Sequence, residues 1–126
     1  MTRINVGVDP RELPDKLLLA EHREITRIPN NVRNGRVRLD IPIPPRFKLG
    51  TGHVRFFYNK LLFLAARYAD LWDECLQREF NVTDKRSSFE KLPPDLFNDY
   101  IPTPQDRAAL IVERIHSNGF RLIKGT

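Results

Sequence analysis

Cysteine is nearly absent from this 126-residue chain: Cys75 stands alone, so no intramolecular disulfide can form and a reducing compartment is expected. No apolar run approaches the roughly 20 residues that a membrane-spanning helix needs. The opening Met1-Thr2-Arg3-Ile4-Asn5 is polar and basic, unlike a signal peptide. Internal repeats, low-complexity tracts and obvious linkers are missing. So are a glycine-rich phosphate loop, an H-E-x-x-H helix and paired Cys-x-x-Cys motifs. The three histidines, His22, His53 and His116, are scattered, and none pairs with Cys75 at ligand spacing, which argues against a metal site. His22-Arg23-Glu24 has the H-x-E spacing of zinc deaminases, but the P-C-x-x-C that must accompany it is absent.

What is present suffices for a folded domain. Hydrophobic residues make up 40% of the chain, enough for a core, and its length fits one domain over residues 1–126. The pattern predicts an all-α, single compact three-helix domain with long irregular connections. Asp9-Pro10-Arg11-Glu12 carries an N-cap acid, a first-turn proline and a third-position glutamate. Pro14 cannot lie deep in a helix, so the first long helix is expected from there to about Pro29. Residues 30–51 read as an irregular connection. Val54, Phe57, Leu61, Leu64, Tyr68, Leu71 and Cys75 then recur every three or four residues, which predicts one unbroken central helix. Cys75 and Trp72 are read as core within it, and His53 as a helix-start or packing residue rather than a base. Thr103-Pro104-Gln105-Asp106 caps a third helix, with Ala108, Ile111, Val112 and Ile115 inward and Gly119 at its end. Val37–Ile41 alternates as a strand would, but the prolines at 42, 44 and 45 deny it sheet partners.

Lysine and arginine total 21 against 16 acidic residues, a formal charge of +5 that favours a polyanionic partner. The excess has an order. Lys16, Arg23 and Arg27 are spaced to share one face of the first helix, with Glu24 among them, and Leu18, Ile25 and Ile28 take the other side. Arg107, Arg114 and Arg121 are each seven apart and Lys124 comes after them, which predicts a continuous basic line on the third helix. Arg3 adds charge beside the N-terminus. By themselves these are the ordinary marks of solvated helix faces with ion pairs. Arginine suits the sharper reading because its planar fork meets phosphate oxygens in pairs.

Several segments carry a family resemblance. Met1-Thr2-Arg3-Ile4-Asn5, the A-E-aromatic-R-E-like Ala20-Glu21-His22-Arg23-Glu24, and the block Leu49-Gly50-Thr51-Gly52-His53-Val54-Arg55-Phe56-Phe57-Tyr58-Asn59-Lys60 occur in order, followed by Asp99-Tyr100-Ile101-Pro102. Together they resemble the pyrimidine-dimer DNA glycosylases of the endonuclease V type over nearly the whole chain. The resemblance implies an all-α domain whose N-terminal segment runs between helices. It implies a monomer that excises ultraviolet pyrimidine dimers from duplex DNA and then nicks the abasic strand, with no metal or cofactor. It implies Thr2 as the nucleophile, through the α-amine freed when Met1 is removed, and Glu24 as the essential acid. Arg3, Arg23 and Arg27 would hold the DNA backbone, with Lys16, Arg114, Arg121 and Lys124 as further contacts. The expected setting is the cytoplasm of a bacterial or phage-infected cell, at the nucleoid. Two departures stand out. Leu17 replaces a histidine, and Phe120-Arg121-Leu122-Ile123-Lys124-Gly125-Thr126 lacks the family's aromatic W-Y-K-Y-Y-G-K pattern, so lesion specificity is where this chain is expected to differ.

The implied chemistry is physically sound. An α-amine titrates near about 8, far below lysine, so a useful fraction is neutral and nucleophilic at physiological pH. Two alternatives stay open from sequence: the same chemistry on another damaged or modified base, and a non-catalytic protein that clamps duplex DNA.

Overall fold

The structure, a computed structural model, describes residues 2–123. Its described residues are helical without a strand, in keeping with the all-α expectation. The helices are α1 (Asp15–Glu24), α2 (Arg27–Arg33), α3 (His53–Phe56), α4 (Leu61–Gln77) and α5 (Pro104–Leu110). Short 3-10 turns lie at Pro10–Glu12, Arg86–Phe89 and Pro94–Leu96. No helix among them is long and apolar enough to cross a membrane.

Each of the three expected helices is interrupted. Asp9 caps only a single 3-10 turn, through its side chain on the Arg11 N–H and the Glu12 side chain on its own. The chain then turns extended at Leu13 before α1 begins. That first helix stops at Glu24 rather than Pro29, because Pro29 has no N–H to give the Ile25 carbonyl. Its ring is tolerated only in the first turn of a new helix, and α2 duly starts at Arg27. The expected central helix is likewise two pieces. Residues Phe57–Asn59 form a turn, and Lys60, at φ −128°, begins the register again for α4. The Lys60 ammonium donates to the Phe56 carbonyl at 3.0 Å and lies 3.8 Å over the Phe56 ring, so the break is filled rather than open. The third helix starts as expected, with a Thr103–Asp106 capping box. It then widens into a π turn at Ile111–Ile115 and tightens to 3-10 at His116–Asn118, ending on Gly119 at φ 79°.

The core runs from Ile4 to Ile115, and part of it is not helical. Ile4, Val6 and Val8 are fully buried. Burial of aliphatic side chains this size is worth roughly 1.5–3 kcal/mol each, which holds the extended segment among the helices. An extended buried segment leaves its polar groups without ladder partners, so side chains supply them. Arg67 of α4 donates to the Val8 carbonyl at 2.6 Å, Arg107 of α5 to the Gly7 carbonyl at 3.1 Å, and His53 of α3 accepts from the Ile4 N–H at 3.0 Å. Gly7, at φ 77°, is where the backbone passes so close to α5 that a Cβ would sit 3.1 Å from the Arg107 Cβ.

Candidate active site

Four residues of α1, Leu17, Ala20, Glu21 and Glu24, face one way at helical spacing. They line a cavity of about 200 Å³, closed on the other sides by Arg3 and Asn5 of the N-terminal segment and by Arg114 and Asn118. Among the described residues this is where the sequence's candidate acid, its neighbouring arginine and the N-terminal segment come together.

The floor is a saturated polar network. Glu21 is 1% exposed and receives the Arg67 guanidinium in a fork, at 2.7 and 2.8 Å, together with the Asn5 side-chain amide at 2.7 Å. A buried carboxylate needs such a set, since an unpaired charge there would be costly. The mouth is different. Among the described residues, Glu24 accepts the Arg3 backbone N–H, at 3.2 Å, and an ion pair from Arg23 at 3.5 Å. Its side chain keeps 13% exposure, so the carboxylate is sheltered yet reachable. Thr2 precedes Arg3, so the Thr2 nitrogen lies three covalent bonds from the N–H that Glu24 holds. Thr2 itself is half-buried.

Arg114 forms the opposite wall. Its Nη1 is buried and has no hydrogen-bond partner among the described residues. Burial lowers its pKa, and the charge of Arg3 lowers it further. Two cations thus approach each other beside a single loosely paired carboxylate. An anion would relieve that repulsion.

The cationic residues named from sequence do not all behave alike. Arg3, Lys16, Arg23, Arg27 and Arg121 are exposed. Lys16 and Arg23 sit seven apart on one flank of the cavity-lining face of α1. Arg27 lies beyond the bend at Ile25–Thr26 and so departs from the shared helical face expected for the three. The expected line of Arg107, Arg114 and Arg121 is also broken. The π turn inserts a residue and rotates the downstream residues by about 100°. Arg107 is spent on Glu12, at 2.7 and 2.9 Å, and on the Gly7 carbonyl. Arg121 falls past the helix end at Gly119. Lys124 lies outside the described residues.

The histidines turn away from the cavity or stand behind it. His22 is buried on the far side of α1, 2.8 Å from the Tyr68 hydroxyl, and burial lowers its pKa. His53 is 3% exposed, and burial pushes its pKa down to about 4, so the ring is neutral. No group of three or more His, Cys, Asp or Glu side chains among the described residues is arranged to hold a metal ion. Cys75 is fully buried on α4, where burial raises its pKa.

Sequence reading did not single out Asn5, Glu21, Arg67 or Asn118. A signal for two of them existed. Glu21 stands between Leu18 and Ile25 on the apolar side of α1, and Arg67 between Leu64 and Leu71 on that of α4, each a charge on a buried face.

Helical architecture, a buried N-terminal segment and an acid at the mouth of a cationic cavity thus come together in one place. Residues 1–88 match the family model described as pyrimidine dimer DNA glycosylase, 88 of the 126 positions. The chain belongs to the pyrimidine dimer DNA glycosylase family. It is therefore a DNA glycosylase by family, with DNA as its substrate. The matched stretch carries Arg3, Glu21, Arg23, Glu24 and Arg67, whereas the wall built by Arg114 and Asn118 lies beyond it.

Proposed function

We propose that the protein excises pyrimidine dimers from damaged duplex DNA and then cleaves the abasic strand, using the Thr2 α-amine as nucleophile. The observation that carries this reading is the Arg3 N–H held by Glu24 at 3.2 Å, which sets the start of the chain beside a sheltered carboxylate. The reading requires removal of Met1. The neutral amine attacks C1′ of the damaged nucleoside, the glycosidic bond breaks, and the base leaves with its electron pair and takes up a proton. Loss of the amine's protons and opening of the sugar ring give an imine between Thr2 and C1′. Glu24 stabilises positive charge on the sugar and moves protons during ring opening. Removal of a C2′ proton then expels the 3′ phosphate by β-elimination, and water hydrolyses the imine to free the amine. No step calls for a metal or cofactor.

The cations around the cavity have a place in this scheme. Arg114 and Arg3 would take the phosphate beside the lesion, with Lys16, Arg23, Arg27 and Arg121 along the flanking backbone. Extruding a damaged nucleotide costs a few kcal/mol, less than for an intact pair. The protein would act as a monomer and as one domain.

Borohydride trapping tests the reading. Protein confirmed to lack Met1 is mixed with a duplex bearing one cyclobutane thymine dimer, a duplex bearing an abasic site, and an undamaged duplex. A covalent adduct mapped to Thr2 on the first two and none on the third is expected. An adduct on the abasic duplex alone would keep the amine chemistry and assign a different base. No adduct on any of them would leave a protein that binds DNA without this chemistry.

A further inference from the structure

One buried histidine stands against the N-terminal segment with both ring nitrogens in use. His53 Nε2 accepts the Ile4 backbone N–H at 3.0 Å, and Nδ1 lies 2.9 Å from the Lys48 carbonyl, which can only accept. The proton therefore sits on Nδ1, and Nε2 carries the lone pair that Ile4 needs. The ring is held on edge by Phe47 at 5.5 Å and Phe57 at 5.3 Å. Its backbone is fixed as well. The His53 N–H donates to the Gly50 carbonyl at 3.1 Å. Gly52 sits at φ 92° with room for no more than 3.1 Å between a Cβ and the Lys48 side chain.

This arrangement is more than packing requires. A phenylalanine would fill the same aromatic cluster. An imidazole adds one acceptor, aimed at the single backbone N–H two residues after Thr2. The next backbone N–H toward the N-terminus, that of Arg3, goes to Glu24. The end of the chain is thus gripped at consecutive residues, by α3 behind and by α1 in front. The charges of Arg114, Glu21 and Arg3, three residues that line the cavity, all act on the His53 ring.

We infer that His53 is a positioning residue for the reaction: by accepting the Ile4 N–H it fixes where the N-terminal segment ends, and so where the Thr2 amine stands relative to Glu24. The inference rests on the proposed role of Thr2. It does not make His53 a base, since its only lone pair is occupied by Ile4.

Two substitutions separate the two ends of the ring. Glutamine at 53 places a carbonyl oxygen near the position of Nε2 and keeps an acceptor for Ile4. Asparagine reaches only toward the Nδ1 position and keeps a donor for Lys48. Single-turnover trapping on an abasic duplex, DNA affinity in the absence of borohydride, and hydrogen exchange of the Ile4 amide are measured for the wild type, His53→Gln and His53→Asn. Misplacement of a reacting group by about 1 Å costs up to roughly 100-fold in rate. His53→Asn is therefore expected to trap about tenfold to 100-fold more slowly with near-unchanged DNA affinity and a faster-exchanging Ile4 amide, while His53→Gln stays close to wild type in all three. Equal trapping rates in His53→Asn and the wild type overturn the inference. So does a rate loss in both variants that tracks their thermal stability alone. A wild-type protein that forms no adduct refutes the Thr2 reading instead, and the Ile4 exchange comparison then still decides whether His53 anchors the segment.

Discussion

Glu21 and Glu24 stand three residues apart on one helix and line one cavity, yet their surroundings differ sharply. Glu21 is sealed, with both oxygens taken by Arg67 and a third donor from Asn5. Glu24 has one backbone N–H and one long contact to an exposed arginine. The arginines repeat the contrast. Arg67 uses Nε, Nη1 and Nη2 inside the protein, whereas Arg114, which lines the cavity, has a buried Nη1 with no partner among the described residues. Saturation marks the groups that build the fold, and the residual capacity of Glu24 and Arg114 is what the proposed chemistry uses. The floor holds the N-terminal segment in place, and in the proposed reaction the mouth presents it.

Breaking the floor should have the largest effect on stability. Glu21→Ala strands the Arg67 guanidinium in the core, and a loss of about 3–5 kcal/mol is expected in urea unfolding. Replacing both partners with similarly sized apolar residues should recover most of that loss, because no buried charge then remains. Acid should act next. His53 takes a proton at about 4 in the fold against an ordinary 6.5, so the unfolded chain binds more protons between those values. Its contribution is whole above pH 6.5 and drains as pH falls toward about 4, on the order of 3 kcal/mol. His22, lowered in the same direction by burial, adds to the loss. Unfolding free energies measured at pH 7, 5.5 and 4.5 would register the slope, and a flat profile would contradict the neutral, bonded His53.

Changes at the mouth should spare the fold. Arg114→Met removes an orphaned buried donor, so stability should hold within about 0.5 kcal/mol. DNA affinity should fall about tenfold, with the salt slope reduced by about one unit in a titration series. Arg23→Gln should do least: its pair with Glu24 is long and its side chain 60% exposed, so a stability change under about 0.5 kcal/mol is expected by thermal melts.

Much of this contrast could not be read along the chain. The helical class came from apolar periodicity, and the caps at Asp9 and Thr103 and the stop at Gly119 were written in local residue types. The break after Glu24 was legible only in hindsight, since Pro29 acts on a carbonyl four residues earlier. The π turn at Ile111–Ile115 carries no proline or glycine to announce it. Arg107 and Arg114 therefore look equivalent in sequence, though one is tied to Glu12 and the other faces the cavity. Glu21 and Arg67 are 46 residues apart, and no spacing rule pairs them. Thr2 and Glu24 were named through family resemblance, and the fold adds the contact between Glu24 and the Arg3 N–H next to Thr2.

The division between floor and mouth is tested most directly by Glu24→Gln, which keeps shape and hydrogen bonding while removing the charge. Its trapping rate on a dimer-bearing duplex is measured beside its melting temperature. A rate loss of about 100-fold or more with an essentially unchanged melting temperature is expected. A variant that traps at the wild-type rate, or that loses activity only in step with its stability, would contradict it.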